Sequence, residues 1–180
     1  MTNYVGLLRA VNLGGSTKLT MAALRDVLRR LGLDGVQTLL QSGNFVFRTT
    51  GRTPDELERM LETGVTNRLG LTTDIFVRTA SEWNGIVERN PFPDAAKQDP
   101  AHLVVTVLKA APSPTEWRAL GHSIRGRETV RGEGRSAFVI YPDGIGTSKL
   151  TLSLIECKLG TRGTSRNWNT VQKLNELMAG

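Results

Sequence analysis

The hydrophobic and polar positions in the first part of the chain predict a small mixed unit. Runs of strand composition are found at 4–11, 36–41, 44–49 and 73–78. Between them, apolar residues recur at helical spacing over 21–31 and 57–65. Thr20 and the run Thr53-Pro54-Asp55-Glu56 are typical helix N-caps. The predicted order is β-α-β-β-α-β, which is typical of a ferredoxin-like unit.

The same order of elements recurs in the second part of the chain. Strands are predicted at 102–109, 128–131, 136–141 and 164–167. A capping box at Ser113–Glu116 predicts one helix, and the apolar positions from Ser148 to Leu159 predict another. Leu150, Leu152 and Leu154 also alternate as in a strand, but the longer window favours a helix. Asn169 is expected to cap a last helix.

The predicted fold class is therefore α+β, with two ferredoxin-like units in tandem and an extra C-terminal helix. We expect residues 1–80 to form the first unit and 101–180 to form the second unit with that helix. Residues 81–100 are expected to be a linker that contains a short helix and the breaker-rich run 90–94. The repetition is one of pattern, since no repeat of individual residues is recognisable.

The amino-acid composition indicates a globular protein. In a chain of 180 residues, 39% are hydrophobic and 22% are charged, which is enough apolar material for a buried core. No apolar run reaches the length of a membrane span, and the first residues lack a secretory signal pattern. We therefore expect a cytoplasmic protein without a membrane partner.

The cysteine and histidine content argues against several kinds of site. The single Cys157 excludes an internal disulfide, and only two histidines are present, so neither a Cys/His metal site nor a cofactor is predicted. Cys157 follows Leu154 by three residues, which predicts a buried position on the apolar helix stripe. No catalytic residue is assigned, because no recognised motif of catalytic residues is present.

The net charge of +6 is unevenly distributed along the chain. Residues 125–173 hold nine Lys or Arg and four Asp or Glu, whereas the rest of the chain is nearly neutral. Acidic partners are favoured by such a basic segment.

Within this segment, the run from Tyr141 to Leu150 has features of an anion-binding loop. Its relevant residues are Gly144, Gly146, Thr147, Ser148 and Lys149. Glycines allow close backbone approach, and a helix N-terminus with a lysine in its first turn favours phosphate or carboxylate. The spacing is not that of a Walker A loop. An ordinary Pro-Asp-Gly turn before a capped helix is the alternative interpretation.

Two further clusters are candidates for the same chemistry. One follows the first strand and contains Asn12, Gly14, Gly15 and Lys18. We expect loops after the first and third strands of a unit to share one end of its sheet. The other contains Arg162, Arg166 and Trp168, which could hold a phosphate and stack on a ring. A flexible loop and a tryptophan packed under the last helix are the respective alternatives.

The strand that contains Phe45 and Phe47 raises the possibility of an RNA-binding sheet, because both side chains project from one face. The first strand offers Leu8 and Arg9 where such a sheet would carry an aromatic residue. The sequence therefore favours a core position for both phenylalanines.

Four separated motifs resemble a known bacterial family. They are Leu7-Leu-Arg-Ala-Val-Asn-Leu-Gly-Gly15, Gln41-Ser-Gly-Asn-Phe-Val-Phe47, Tyr141-Pro-Asp-Gly-Ile-Gly-Thr-Ser-Lys-Leu150 and Ser165-Arg-Asn-Trp-Asn-Thr-Val-Gln-Lys-Leu174. In this order they are similar to the domain of unknown function 1697. The resemblance implies an α+β bacterial cytosolic protein and carries no mechanism.

Three hypotheses of function follow. The first is a module that binds a phosphorylated ligand or nucleic acid through Lys149, Arg162, Arg166 and Trp168. The second is an enzyme that acts on a small anionic metabolite in a cleft between the two halves. The third is an interaction protein that associates through a sheet edge or the terminal helix. The sequence leaves open whether the protein is an enzyme, and it leaves the oligomeric state open.

Overall fold

A computed structural model describes residues 1–9 and 19–179 of the protein. The chain divides into two compact units. Unit 1 comprises Met1–Gly85 and Lys173–Gly180, and unit 2 comprises Ile86–Gln172. The described residues form a mixed α+β structure with two four-stranded antiparallel sheets and seven helices.

Unit 1 contains four strands and two helices before its connection to unit 2. In chain order they are β1 (Thr2–Leu8), α1 (Met21–Arg30), β2 (Asp34–Leu39), β3 (Asn44–Thr49), α2 (Pro54–Leu69) and β4 (Ile75–Thr79). The strands lie in the order β2-β3-β1-β4, and every neighbouring pair is antiparallel.

Unit 2 repeats this order of elements after two connecting helices. These helices are α3 (Ala80–Glu88), which begins in unit 1, and α4 (Pro93–Gln98). They are followed by β5 (Leu103–Leu108), α5 (Pro114–Ser123), β6 (Thr129–Glu133), β7 (Ser136–Ile140), α6 (Leu152–Leu159), β8 (Gly163–Asn167) and α7 (Trp168–Ala179). The strand order is β6-β7-β5-β8, again antiparallel throughout.

Aromatic side chains of the sheet fill the core of unit 1. Tyr4 stacks on Phe47 with ring centroids 5.3 Å apart, and Phe45 stacks on Phe47 at 5.7 Å. A Cβ atom at Gly6 would lie 2.1 Å from Phe45 Cζ, so the glycine makes room for that ring. Because Phe45 and Phe47 are buried among residues of α1 and α2, the predicted core position of both is confirmed.

The predicted helix starts at Thr20, Thr53 and Ser113 are confirmed. Thr20 Oγ1 accepts a hydrogen bond from the Ala23 N–H, and both other positions form complete capping boxes. The N-cap hydrogen bonds hold the pKa values of Glu56 and Glu116 below the usual range for glutamate.

Two predicted helix starts were wrong by several residues. Helix α6 begins at Leu152, where Thr151 Oγ1 accepts from the Leu154 N–H, and not near Ser148. Helix α7 begins at Trp168, and Asn167 Oδ1 rather than Asn169 accepts from the Thr170 N–H. In both cases a second residue with capping chemistry lies close by, so spacing alone did not select the right one.

The expectation that loops after the first and third strands share a sheet end was wrong. Strand β1 is antiparallel to β3, and β5 is antiparallel to β7. The crossover through a helix makes the first and second strands parallel, and the hairpin then reverses the third. The segment after β1 and the one after β3 therefore leave the sheet at opposite ends.

The prediction that Cys157 is buried was also wrong, because the residue is exposed. Ile155 and Leu159 are the buried residues of α6, and a position two residues from Ile155 lies off that face.

The two units repeat individual hydrogen bonds that pattern reading could not identify. Leu8 N–H donates to Gly43 O as Leu108 N–H donates to Arg135 O, and Arg9 N–H donates to Asp74 O as Lys109 N–H donates to Arg162 O. A helix carboxylate also covers the outer edge of the last strand in each unit. Glu62 accepts from Ile75 N–H, and Glu156 accepts from Gly163 N–H, each at 2.9 Å.

Candidate functional site

The candidate site is built around the connection between β7 and α6, residues 141–151, here called the β7–α6 loop. Its two ends are tied together because the buried Tyr141 hydroxyl donates to Leu150 O at 3.0 Å. Gly144 has a φ of 84°, which favours glycine, and its N–H donates to Tyr141 O at 3.0 Å. The loop thus has a defined backbone path.

Side chains from the segment before β6 hold this loop from one side. The Arg127 guanidinium donates to both carboxylate oxygens of Asp143, with 3.1 Å between Nε and Oδ2. This pairing lowers the pKa of Asp143 and raises that of Arg127. A second contact joins the Ser148 hydroxyl to Glu128 Oε1. The loop is therefore anchored at two points.

Glu128 lies at the centre of these contacts. The hydrogen bond from Ser148 lowers the pKa of Glu128, so the carboxylate is ionised at neutral pH. Its Oε2 atom is buried and has no hydrogen-bond donor among residues 1–9 and 19–179. Burial, together with the charge of Glu128, raises the pKa of Tyr141 to about 12. This corner of unit 2 thus combines a partly buried carboxylate with a neutral, buried phenol.

A histidine approaches the loop from the start of β5. His102 Nδ1 lies 2.7 Å from Asp99 Oδ2, and both side chains are exposed. A Cβ atom at Gly144 would be 3.9 Å from His102 Nε2, so the ring lies directly beside this glycine. An imidazole held by a carboxylate at one nitrogen has the other nitrogen available for proton transfer.

The loop carries one exposed cation, Lys149, and the segment before β6 carries another, Arg125. Lys149 and Arg125 form no ion pair with any residue that the structure describes. The hydroxyls of Thr147 and Ser148 instead donate to protein acceptors, and Thr147 Oγ1 lies 3.0 Å from Asp143 O. Gly146 is exposed and follows the equally exposed Ile145. The predicted loop residues thus comprise one available cation and hydroxyls that help to fix the loop.

The predicted cluster of Arg162, Arg166 and Trp168 is spread over the length of β8. Because strand residues rise about 3.3 Å each, Arg162 and Arg166 lie roughly 13 Å apart along the strand direction. Arg162 is at the sheet end opposite the β7–α6 loop. Arg166 donates to Thr164 Oγ1 and Ser165 O, and burial of the guanidinium lowers its pKa to about 10. Trp168 is 3% exposed at the start of α7.

The remaining predicted cluster lies outside the described residues. It comprises Asn12, Gly14, Gly15 and Lys18.

Sequence reasoning missed the residues that surround the loop. Arg127 and Glu128 precede β6, and the pairing of Thr129 with Ile140 places them beside the residues that follow β7. Once the hairpin is recognised, its register predicts this neighbourhood. Asp99 and His102 carry a weaker signal, a carboxylate three residues before a histidine.

The part of the chain that the structure describes contains neither a metal-binding cluster nor a membrane-spanning helix. No group of three His, Cys, Asp or Glu side chains could hold a metal ion there. Across 1–9 and 19–179, no helix has the length and apolar character needed to cross a bilayer.

Comparisons with known proteins identify the family and a structure that shares the fold. No curated protein matches the chain. A solved structure of a conserved bacterial protein from Streptococcus pneumoniae is 22% identical, with 98% of both chains covered and a TM-score of 0.77, so the fold is shared. The profile of the family described as protein of unknown function (DUF1697) matches residues 1–138, which end before the β7–α6 loop. The chain therefore belongs to the DUF1697 family.

Proposed function

We propose that unit 2 binds a small phosphate-bearing ligand at the β7–α6 loop, through Gly144, Gly146, Thr147, Ser148 and Lys149. The observation that carries the proposal is the exposed Lys149, which has no ion-pair partner among residues 1–9 and 19–179, on a loop that other side chains fix in place. A loop that is ordered before binding loses less conformational entropy when the ligand arrives.

Charge around the loop supports an anionic ligand. The Asp143 carboxylate is neutralised by Arg127, and the Glu128 carboxylate is engaged by Ser148. The cations Lys149 and Arg125 are exposed and have no such partner among the described residues. Lys149 thus supplies an accessible positive charge on the loop, which favours phosphate over a cation.

We favour a small ligand over nucleic acid. A nucleic-acid surface needs several Lys and Arg side chains along one face, because affinity rises with the number of phosphates neutralised. The arginines of the predicted third cluster do not extend the loop in this way, since Arg162 lies at the other sheet end and Arg166 is turned onto its own strand. Neither is part of the proposed site.

A second candidate function is acid–base catalysis on the bound anion. The contact of Asp99 with His102 Nδ1 favours it, because the opposite nitrogen faces Gly144. In this alternative, Lys149 positions the phosphate and His102 moves a proton. His102→Gln would then abolish turnover and leave ligand affinity nearly unchanged, whereas a silent substrate screen with the wild type would count against it.

The binding proposal is tested by calorimetric titration with inorganic phosphate, a nucleoside monophosphate and a single-stranded oligonucleotide at two salt concentrations. We expect saturable binding of a phosphate-bearing small molecule, weakened about tenfold or more in Lys149→Ala. Salt should reduce the affinity only modestly, since few phosphates are contacted.

Lys97→Ala is the matched control, because Lys97 is an exposed lysine of unit 2 on α4. Equal losses in both variants would mean that binding reflects general charge, and the proposal would fail. Strong, salt-sensitive binding of the oligonucleotide alone would replace it with nucleic-acid recognition.

We further propose that each unit is a ferredoxin-like fold and that the chain is a tandem repeat with segments 1–80, 81–100 and 101–180. The common strand order and the repeated hydrogen bonds support this interpretation. A cytoplasmic location is part of the same proposal, and fractionation of cells that express the tagged protein would test it.

A further inference from the structure

The outer edge of β6 differs from the outer edges of β4 and β8, which helix carboxylates cover. In β4, the N–H groups of Ile75 and Val77 donate to Glu62 and Glu58. No side chain or loop atom within residues 1–9 and 19–179 accepts a hydrogen bond from an N–H of β6. The strand pairs only with β7, and Arg131, Gly132 and Glu133 are exposed. An exposed edge of this kind can accept another strand.

The hairpin turn determines which backbone groups face this edge. Gly134 and Arg135 form a two-residue turn closed by the pair Glu133 and Ser136, and Gly134 has a φ of 52°. Bonded and non-bonded pairs alternate along an antiparallel ladder. The N–H and C=O groups of Val130 and Gly132 therefore point away from β7. Arg131 Nη1 donates to Val130 O at 3.1 Å, which covers one of these carbonyls.

We infer that β6 pairs antiparallel with β6 of a second copy of this chain, about a twofold axis at Gly132. In this register, each Arg131 lies directly opposite the partner's Glu133, so the dimer contains two cross-strand ion pairs. These would be non-bonded pairs, in which side chains approach most closely. Glycine at the axis allows close approach of the two backbones.

The neighbouring register is disfavoured by the same charges. With the axis at Arg131, the two guanidinium groups would face each other, and like charges directly opposite are destabilising. Only the register centred on Gly132 brings together opposite charges on both sides. The sequence of β6 is thus complementary to itself in one alignment, as an isologous interface requires.

Space is available on the helix side of the edge. A cavity of about 350 Å³ lies between α5 and β6, where it is lined by Trp117, Ile124 and Val130. The Trp117 indole lies against Gly132, where a Cβ atom would be 2.4 Å from its Cε2. Glu133 also contacts Arg89 at 3.1 Å, so in the dimer the carboxylate would lie between two arginines.

The test is sedimentation equilibrium of the full chain and four variants over a range of concentrations. The wild type should be a dimer, and Arg131→Glu or Glu133→Arg should each weaken it roughly tenfold or more by placing like charges opposite. The double variant that carries both changes should regain the dimer, because the ion pairs are restored with their signs exchanged. Lys97→Glu, an exposed lysine far along the chain on α4, should have no effect.

Hydrogen exchange of the wild type provides an independent readout that does not depend on folding of a variant. The Gly132 amide should exchange more slowly at high protein concentration, while the β4 amides should not change. A monomer up to about 1 mM, a dimer insensitive to both single reversals, or a double variant that remains monomeric would each overturn the proposal.

Discussion

The two units have the same sheet but differ in the connection that follows the third strand. In unit 1, β3 and α2 are joined by residues 50–53, and the Tyr4 hydroxyl donates to Arg52 O in this short connection. In unit 2, the β7–α6 loop occupies residues 141–151, carries the contacts of Asp143 and Ser148, and presents the exposed Lys149. In both units the sheet fixes the end at which the chain leaves the third strand. The longer connection of unit 2 has room for charged side chains such as Asp143 and Lys149.

The units also differ in how strongly the last strand is attached to the preceding helix. Strand β4 receives two carboxylates, Glu58 and Glu62, and Glu58 also contacts the buried Arg78 at 3.5 Å. Strand β8 receives Glu156 on the equivalent N–H. The last strand of unit 1 thus donates to two helix carboxylates at this edge, and that of unit 2 donates to Glu156. We expect substitutions there to affect stability more than substitutions around the loop of unit 2.

The largest effect is expected for Glu58→Ala. The change removes the acceptor of the Val77 N–H and leaves the buried Arg78 guanidinium without its carboxylate, so the free energy of unfolding should fall by about 3 kcal/mol or more. Urea unfolding measures this. Glu62→Ala and Glu156→Ala are the matched comparisons and should each cost about 1–3 kcal/mol. Equal losses for all three would remove the difference between the units.

An intermediate effect is expected at Tyr141. Tyr141→Phe removes the hydrogen bond to Leu150 O and should lower stability at neutral pH by about 1 kcal/mol. The folded-state pKa of about 12 lies above the ordinary value near 10. The stability that comes from the neutral phenol is therefore present below pH 10 and lost as the pH rises through 12. Unfolding of both proteins from pH 8 to 12 should show a steeper decline for the wild type, and parallel curves would contradict this.

A smaller effect is expected when the loop loses its contact with Glu128. Ser148→Ala removes the hydrogen bond that lowers the pKa of Glu128 and should cost about 1 kcal/mol at pH 7. Because the folded pKa is depressed, this stability exists above the ordinary glutamate pKa and disappears as the pH falls through the lowered value. The part of the difference that comes from Glu128 should therefore disappear in acid, whereas the part that comes from the Leu150 N–H, which also donates to Ser148 Oγ at 3.0 Å, should remain. A difference that is as large in acid as at pH 7 would contradict this.

Local sequence patterns were enough to predict the core and most of the elements. The capping boxes at Thr53 and Ser113 and the buried Phe45 and Phe47 follow from residue type and spacing within a few positions. Helix α4 was not predicted, because its proline was taken as a breaker rather than as a first helical residue. This error concerns a whole short helix, whereas those at α6 and α7 concern only helix starts.

The surroundings of the candidate loop could not be predicted in the same way. Lys149 was identified from local sequence, but the partners of Asp143 and Ser148 lie about one hairpin away in the chain. Their approach depends on the β6–β7 register. The predicted strand ends at residue 131, whereas β6 continues to Glu133 and the turn residues are Gly134 and Arg135. A shift in register changes every neighbour beyond the end of the strands.

The smallest effect on stability is expected for Lys149→Ala. An exposed side chain without an ion pair among the described residues should change the free energy of unfolding by no more than about 0.5 kcal/mol. The same variant should lose binding of a phosphate-bearing ligand. Urea unfolding beside the calorimetric titration separates the two effects, and a large loss of stability would mean that Lys149 has a structural role.

The most direct test of the account is amide NMR mapping of the wild-type chain with inorganic phosphate. Saturable shifts are expected at Gly144, Gly146 and Lys149, with His102 affected beside them, and no shifts are expected in residues 50–53 of unit 1. Lys149→Ala should remove them and Lys97→Ala should not. Shifts that spread evenly over both units, or that centre on unit 1, would contradict the claim that the longer loop of unit 2 holds the site.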